Sequence, residues 1–298
     1  MDNIKKYEVA IIIPCKNEGI YIKQTLEFLF KTEAKNISHI FIIDDDSNDN
    51  CCEFLKNPFN RYRANVKLVE TRGIGASAAR NLGASFAPLT KILVFCDAHI
   101  TMQPNWLNTL LKAFNNKDVS VVCPGIGHFS PDSPVGYGQT WNEKFETYWL
   151  KKPMNIKEVP LAPGGCMAIR KEVFDAVGGF DHGFHSWGFE DVELSVKLWL
   201  FGYKIFVHPA VKIGHKFRKI QPYNIDLTEF HYNKLRMAFS HFNENRIRKL
   251  MKPLHDYSNF ETILNKITAS DTYDQRIDYF KRRLHDDDWF FNKFNIPF

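Results

Sequence analysis

Asp97-Ala98-His99 sets a carboxylate and an imidazole at alternate positions after the apolar run Lys91–Cys96. Side chains two apart on an extended segment share a face, so the pair can converge on one cation. One oxygen and one nitrogen ligand suit Mn²⁺ or another divalent ion of that class, and His215 offers a third ligand. The alternative is structural: His99 caps a helix and His215 is a satisfied histidine at a strand end. A second constellation is Glu190-Asp191, placed where the loop Trp187-Gly188-Phe189 turns into an apolar segment ending at Gly202. Two carboxylates in the first turn of a buried helix, beside a tryptophan, are an odd thing to build for stability alone. The competing reading is an acidic turn that complements the helix dipole.

Two further stretches carry chemistry. Asp44-Asp45-Asp46 ends an apolar run, and one of these carboxylates could accept from a base N–H or a ribose hydroxyl. Asp-Asp-Ser-Asn is equally good turn chemistry. Gly73-Ile74-Gly75-Ala76-Ser77-Ala78 satisfies the G-x-G-x-x-A dinucleotide fingerprint, with Asp97 at about the spacing of a ribose acid. It follows the third strand rather than the first, however, and Arg80 and Asn81 suit a nucleotide-sugar site equally well. A dinucleotide-dependent oxidoreductase therefore stands as a minor alternative.

The elements that must hold these residues follow from periodicity. Val9–Pro14, His39–Asp44, Val66–Glu70, Lys91–Asp97 and Val119–Pro124 read as strands. Ile20–Thr32, Asn50–Leu55, Gly75–Ala87 and Pro104–Phe114 read as the helices between them. This alternation predicts an α/β fold: one Rossmann-like, mostly parallel sheet flanked by helices. Asp44–Asp46 and Asp97–His99 then fall at carboxyl ends of strands, where such sheets bind ligands. Gly125–Tyr137, rich in Gly, Ser and Pro, reads as a loop. Pro160–Arg170 reads as a loop entering a strand, and Lys171–Val177 and Glu190–Phe201 as helices. Beyond Lys219 the chain reads as polar helices (Leu227–Asn243, Phe260–Thr268, Asp274–Leu284) and an aromatic tail, Trp289–Phe294. The expected organisation is a catalytic domain over 1–220, with halves at about 1–124 and 125–220, and a helical C-terminal extension over 221–298.

Composition bounds the function. No apolar run reaches the ~18 residues of a membrane span, and MDNIKKYEVA lacks the apolar core of a signal peptide. A cytoplasmic location is the default expectation. The six cysteines show no CxxC spacing, and Cys15, Cys96, Cys123 and Cys166 sit in or beside apolar runs as packing residues. Of the net charge of +5, the segment from Lys216 to Phe298 carries most, with 15 Lys/Arg against 11 Asp/Glu. A surplus this small fits an ordinary solvated surface or the meeting of a nucleotide's phosphates, and no nucleic-acid partner is expected.

At these residues the chain resembles a GT-A-fold glycosyltransferase. VAIIIPCKNE, FIIDDDSNDN, GASAARNLG and LVFCDAH are similar to family 2. APGGCMAIRKEVFDAVGGFD, WGFEDVELSVKLWLFGYKIFVHP and KIGHKFRK resemble the polypeptide N-acetylgalactosaminyltransferases. The resemblance implies a UDP-sugar donor and Mn²⁺ (or Mg²⁺) held by Asp97, His99 and His215. It implies that Pro14, Glu18 and Asp45 belong to the nucleotide site, with Pro14 and Asp45 on the uridine and Arg80 nearby. Gly164, Gly165, Trp187 and Glu190 would lie against the donor sugar, and Arg218 would approach the diphosphate from a closing loop. The peptide transferases have Gly-Gly-Glu-Asn after the tryptophan, where this chain has Gly188-Phe189-Glu190-Asp191. An asparagine cannot take a proton and an aspartate can. Inverting members of family 2 and the β-galactosyltransferases carry a Glu-Asp pair whose aspartate is the base.

The expectation is therefore a metal-dependent hexosyl- or N-acetylhexosaminyltransferase acting with inversion. Asp191 is the base and Glu190 orients hydroxyls. The acceptor is a hydroxyl or thiol on a peptide, protein or glycan. The alternatives are a retaining peptide O-glycosyltransferase and a non-catalytic nucleotide-binding scaffold. The extension over 221–298 is expected to recognise the acceptor or to mediate a homodimer.

Overall fold

The structure is a computed structural model that describes residues 8–33, 39–130 and 132–298. The start of the segment inspected for a signal peptide lies outside them. Within them, no helix is long and apolar enough to cross a membrane.

The first half alternates as its periodicity requires: β1 (Val9–Cys15), α1 (Tyr21–Glu33), β2 (His39–Asp45), α2 (Glu53–Lys56), β3 (Val66–Thr71), α3 (Ala76–Ser85) and β4 (Ile92–Cys96). There follow β5 (Ile100–Met102), α4 (Trp106–Leu111), β6 (Val119–His128), β7 (Val135–Gly136), β8 (Gln139–Trp141), β9 (Thr147–Trp149) and β10 (Lys157–Glu158). The second half adds β11 (Cys166–Arg170), α5 (Lys171–Ala176), α6 (Glu190–Leu200) and β12 (Lys204–His215). The main sheet runs β10-β12-β6-β11-β4-β1-β2-β3. The β1, β2, β3 and β4 pairings are parallel, as is β6 with β12, while β11 is antiparallel to both its neighbours. β1 lies between β2 and β4, so the chain leaves it in both directions and opens a crevice at their carboxyl ends.

Strand alternation feeds two cores. On β1, Ala10 and Ile12 face one side with Ala79 of α3 and Leu194 of α6. Val9, Ile11 and Ile13 face the other, with Leu26 of α1 and Leu110 of α4.

Three expectations change. β6 runs on through Gly125–His128, which were assigned to a loop; these residues pair with Lys212–His215. Gly125 is required in that strand because a Cβ there would stand 2.5 Å from the Tyr137 ring. β12 has no counterpart in the periodicity. Pro209 lacks an N–H, and the register shifts between His208 and Lys212, which breaks the alternation a strand should show. The segment around Asn50–Leu55 contracts to the single turn α2.

The C-terminal helices are α7 (Leu227–His241), α8 (Glu244–Met251), α9 (Phe260–Ala269), α10 (Thr272–Arg282) and α11 (Asp287–Lys293). They share the core of α3 and α6 through Leu235, Phe242, Ile267 and Tyr279. Within the aromatic tail, Phe290 and Phe291 are buried and pack beside Trp141 and Phe242. α6 is thereby buried on its polar side as well. Glu193 is paired with Lys197 at 3.2 Å and with His241 of α7 at 2.8 Å. Phe290→Ala should cost about 3–5 kcal/mol and lower the Tm by about 10 °C in a thermal melt. Deleting Asp274–Phe298 should abolish the fold, so donor hydrolysis and transfer are lost together rather than transfer alone.

Candidate active site

The crevice is a cavity of about 530 Å³. It lies at the strand ends of β1, β2 and β4, closed above by the segment after β12. Pro14, Glu18, Asp45, Arg80, Asp97, His99, Gly164, Gly165, Trp187, Asp191, His215 and Arg218 all line it. Glu190 sits one layer behind.

Asp97 leaves β4 with its N–H bonded to Gly165 O at 3.1 Å. His99 enters two residues later and His215 ends β12, which pairs with β5 at His215–Ile100. His215 Nε2 lies 2.9 Å from Asp97 Oδ2, and the two imidazole rings stand 4.7 Å apart. One ligand atom from each of the three residues falls within 4.8 Å of the others. The set fits a divalent cation of the Mn²⁺ class: a carboxylate oxygen and two imidazole nitrogens converge, and the buried His215 Nδ1 has no partner. Burial alone would raise the Asp97 carboxyl. The hydrogen bond from His215 and the positive fields of His215, His99 and Arg80 outweigh burial and hold it well below the carboxylate range.

Glu18 lines the crevice and backs this set. Its Oε2 lies 2.9 Å from His99 Nδ1, which leaves Nε2 as the ring nitrogen free to ligate. The same carboxylate accepts from Arg218 at 2.6 and 3.2 Å. The segment after β12 is thus fastened across the crevice, with Phe217, Gln221, Tyr223 and Asn224 lining it. Sequence reasoning missed Tyr223, whose phenol is pushed up by burial and then by the charges of Asp97, Glu18 and Glu190.

Arg80 is a buried crosspiece. Its guanidinium donates to Glu190 Oε1 at 3.0 Å and to Asp97 Oδ1 at 3.2 Å, welding the start of α6 to the end of β4. Glu190 also accepts from Gly188 N–H at 3.0 Å, so it shapes the Trp187 loop. Asp191 alone of the pair faces the crevice. Its Oδ2 accepts from Gly164 N–H at 2.6 Å and its Oδ1 from Val192 N–H at 2.9 Å. Burial, then the Glu190 charge, push its carboxyl up to about 6, against Gly164 N–H and Arg80. Gly164 and Gly165 keep backbone close to these groups: a Cβ on Gly164 would lie 3.0 Å from Asp191, and one on Gly165 3.2 Å from His215.

Asp45 builds the wall of the site. Its Oδ1 accepts from Thr71 Oγ1 and Ile74 N–H, at 2.7 and 2.6 Å, and its Oδ2 from Gly75 N–H at 2.8 Å. The glycine turn that matched a dinucleotide fingerprint thus wraps a carboxylate of its own chain, and the pyrophosphate-cradling reading fails. Asp45 Oδ2 keeps acceptor capacity for a base or ribose donor. Gly75 has φ +86°, and a Cβ there would meet the Ser186 backbone at 2.8 Å. That close approach lets Ala76 N–H reach Ser186 O at 2.8 Å and tie the turn to the Trp187 loop.

The Trp187 loop is held from the C-terminal helices, which no sequence signal indicated. Asn233 of α7 donates to His185 O and Gly188 O, and accepts from His185 N–H. Phe230 stacks on Trp187 at 5.9 Å. Ser186 and Phe189 lie in the left-handed backbone region, with φ +52° and +69°. Phe189 occupies the second glycine position of the peptide-transferase pattern, so a conformation that suits glycine is here imposed on a phenylalanine.

Human polypeptide N-acetylgalactosaminyltransferase 10 is 29% identical over 249 residues, covering 75% of this chain and 41% of the relative. The probable N-acetylgalactosaminyltransferase 8 of Caenorhabditis elegans is 31% identical over 263 residues, 78% of this chain and 61% of that one. The chain thus spans about two-fifths to three-fifths of the length of these curated relatives. The solved structure of GalNAc-T7 with UDP, GalNAc and Mn²⁺ superposes with a TM-score of 0.79 at 22% identity, over 98% of this chain and 57% of that one. It shows that the fold is GT-A. The profile of the N-terminal domain of galactosyltransferase matches residues 156–220. The profile of glycosyl transferase family 2 matches residues 10–178, more than half of the 298 residues, and the chain belongs to that family.

Proposed function

We propose that the protein moves a sugar from a UDP-sugar to an acceptor hydroxyl with inversion, and that Asp191 is the base. The observation that carries this reading is the position of Asp191. It lines the crevice without a cationic partner in hydrogen-bond contact, and it accepts from Gly164 N–H, next to the Gly165 that lies against His215 and Asp97. Glu190, by contrast, is committed to Arg80 and Gly188.

In the single displacement, the acceptor oxygen forms a bond to the anomeric carbon as the bond from that carbon to the diphosphate oxygen breaks. The acceptor proton passes to Asp191, and the bonding electrons leave with UDP. Asp97, His99 and His215 would hold a Mn²⁺-class cation, which when bound offsets charge on the departing diphosphate. Glu18 fixes the His99 ring, and Arg218 is free to exchange Glu18 for the diphosphate. Trp187 and the 216–224 segment cover the crevice and keep out water that would hydrolyse the donor. Asp45 and Pro14 form the wall against which the base would lie. UDP and Mn²⁺ enter this reading from the GalNAc-T7 structure and from the donor set of this site.

Mass spectrometry of a UDP-sugar donor screen with Mn²⁺ tests the activity. Turnover of a UDP-sugar supports it, and binding of NAD(H) in preference to UDP would contradict it. The pH profile tests the base. With its carboxyl raised to about 6, Asp191 is protonated and idle below that pH. The kcat/KM should rise about tenfold per pH unit up to pH ~6 and level above it.

A retaining peptide O-glycosyltransferase is the second reading, favoured by the curated relatives, which are named polypeptide N-acetylgalactosaminyltransferases. The acceptor, peptide or glycan, is a separate question from stereochemistry, and the exposed Phe217, which lines the crevice, offers an apolar contact to either.

A further inference from the structure

Three thiols meet behind the nucleotide side of the crevice. Cys15 ends β1, and Cys51 and Cys52 precede α2. Their sulfurs stand 3.6 Å (Cys15–Cys51), 3.6 Å (Cys15–Cys52) and 3.8 Å (Cys51–Cys52) apart. All three are buried and free. Thiolates bound to one tetrahedral zinc at ~2.3 Å lie roughly 3.8 Å from one another, so this triangle has the size to seat a single ion. Packing alone asks only for small apolar groups, and the other close thiols, Cys96 and Cys166 at 3.8 Å, form a mere pair across two strands. An oxygen donor is adjacent, Ser47 Oγ at 3.5 Å from Cys51 Sγ, and the Glu18 backbone N–H is directed at Cys51.

We propose that Cys15, Cys51 and Cys52 form a thiolate site for a soft d¹⁰ cation, Zn²⁺ or Cu(I), distinct from the carboxylate–imidazole set. Sulfur selects these ions, whereas the Asp97 set offers oxygen and nitrogen and suits Mn²⁺. The ion would clip the end of β1 to the turn after β2. Those segments already meet through Lys16 Nζ to Asp45 O at 2.8 Å and Asn17 N–H to Ser47 Oγ at 2.9 Å. They carry Pro14, Glu18 and Asp45, so occupancy firms the nucleotide wall and the support of His99 without entering the chemistry.

The test uses the full chain, reduced and anaerobic. Cd²⁺ is titrated in and read by its thiolate charge-transfer absorption, then displaced by Zn²⁺. One equivalent of Cd²⁺ should give the band, in wild type and in His215→Ala alike, and Cys51→Ser/Cys52→Ser should lose it. Cys96→Ala should keep it. Absence of the band, or its survival in the double variant, overturns the site. So does a wild type that takes up no thiophilic ion and instead loses two thiols to a disulfide under mild oxidation. Should the double variant misfold, X-ray absorption of His215→Ala loaded with one Zn²⁺ decides: a shell of three sulfurs at ~2.3 Å supports the site, and an all-nitrogen and oxygen shell contradicts it.

Discussion

Asp191→Asn is expected to lower transfer by about 10²–10⁴ while UDP and Mn²⁺ still bind, because general-base assistance is worth that much. The fold should survive. The amide oxygen can still accept from Gly164 N–H, and the substitution relieves the repulsion from Glu190 that raises the Asp191 carboxyl. The Tm should stay within a few degrees of wild type, which separates lost chemistry from lost structure. Because Asn is the residue of the peptide-transferase pattern at this position, the variant also poses the stereochemical question directly. Near-wild-type transfer by Asp191→Asn would remove Asp191 as the base.

His215→Ala is expected to weaken Mn²⁺ binding at least 10–100-fold, the range that even an outer-shell partner commands. The loss would be read from the free-Mn²⁺ signal in electron paramagnetic resonance, with UDP present. Two effects add. A ligand is removed, and Asp97 loses the hydrogen bond that, after burial, does most to set its charge state. Glu18→Gln should fall within the same 10–100-fold range although Glu18 need not touch the ion, since it fixes the His99 ring at 2.9 Å and also anchors Arg218. A Mn²⁺ affinity unchanged by both substitutions would mean that the ion sits elsewhere.

The parallel half of the fold was legible because its strands are continuous apolar runs and its helices keep a helical period. Asp97 and His99 were legible as a pair because they follow the continuous apolar strand β4, whereas nothing in the periodicity marked β12, the strand that His215 closes. What stayed hidden depends on long-range partners. Arg80 read as a residue near the nucleotide. Only the fold shows that a buried guanidinium must be neutralised, and that Glu190 and Asp97 do it. Asp45 read as a uridine acceptor, yet its oxygens first satisfy the backbone of a glycine turn 29 and 30 residues later. The C-terminal helices looked like an appendage because their apolar positions form no clean stripe. They are buried against α6 and carry Asn233 and Phe230 to the Trp187 loop, contacts that no local pattern encodes. Phe189 belies its own propensity: its positive φ is imposed by the loop that Glu190 and Asn233 hold.

The most direct measurement is the configuration of the sugar first released when the protein and Mn²⁺ hydrolyse a UDP-α-sugar, followed by proton NMR before mutarotation. It needs no knowledge of the acceptor. A base at Asp191 acting in one displacement predicts the β anomer as the first product; the α anomer would contradict it and place the protein with the retaining peptide transferases.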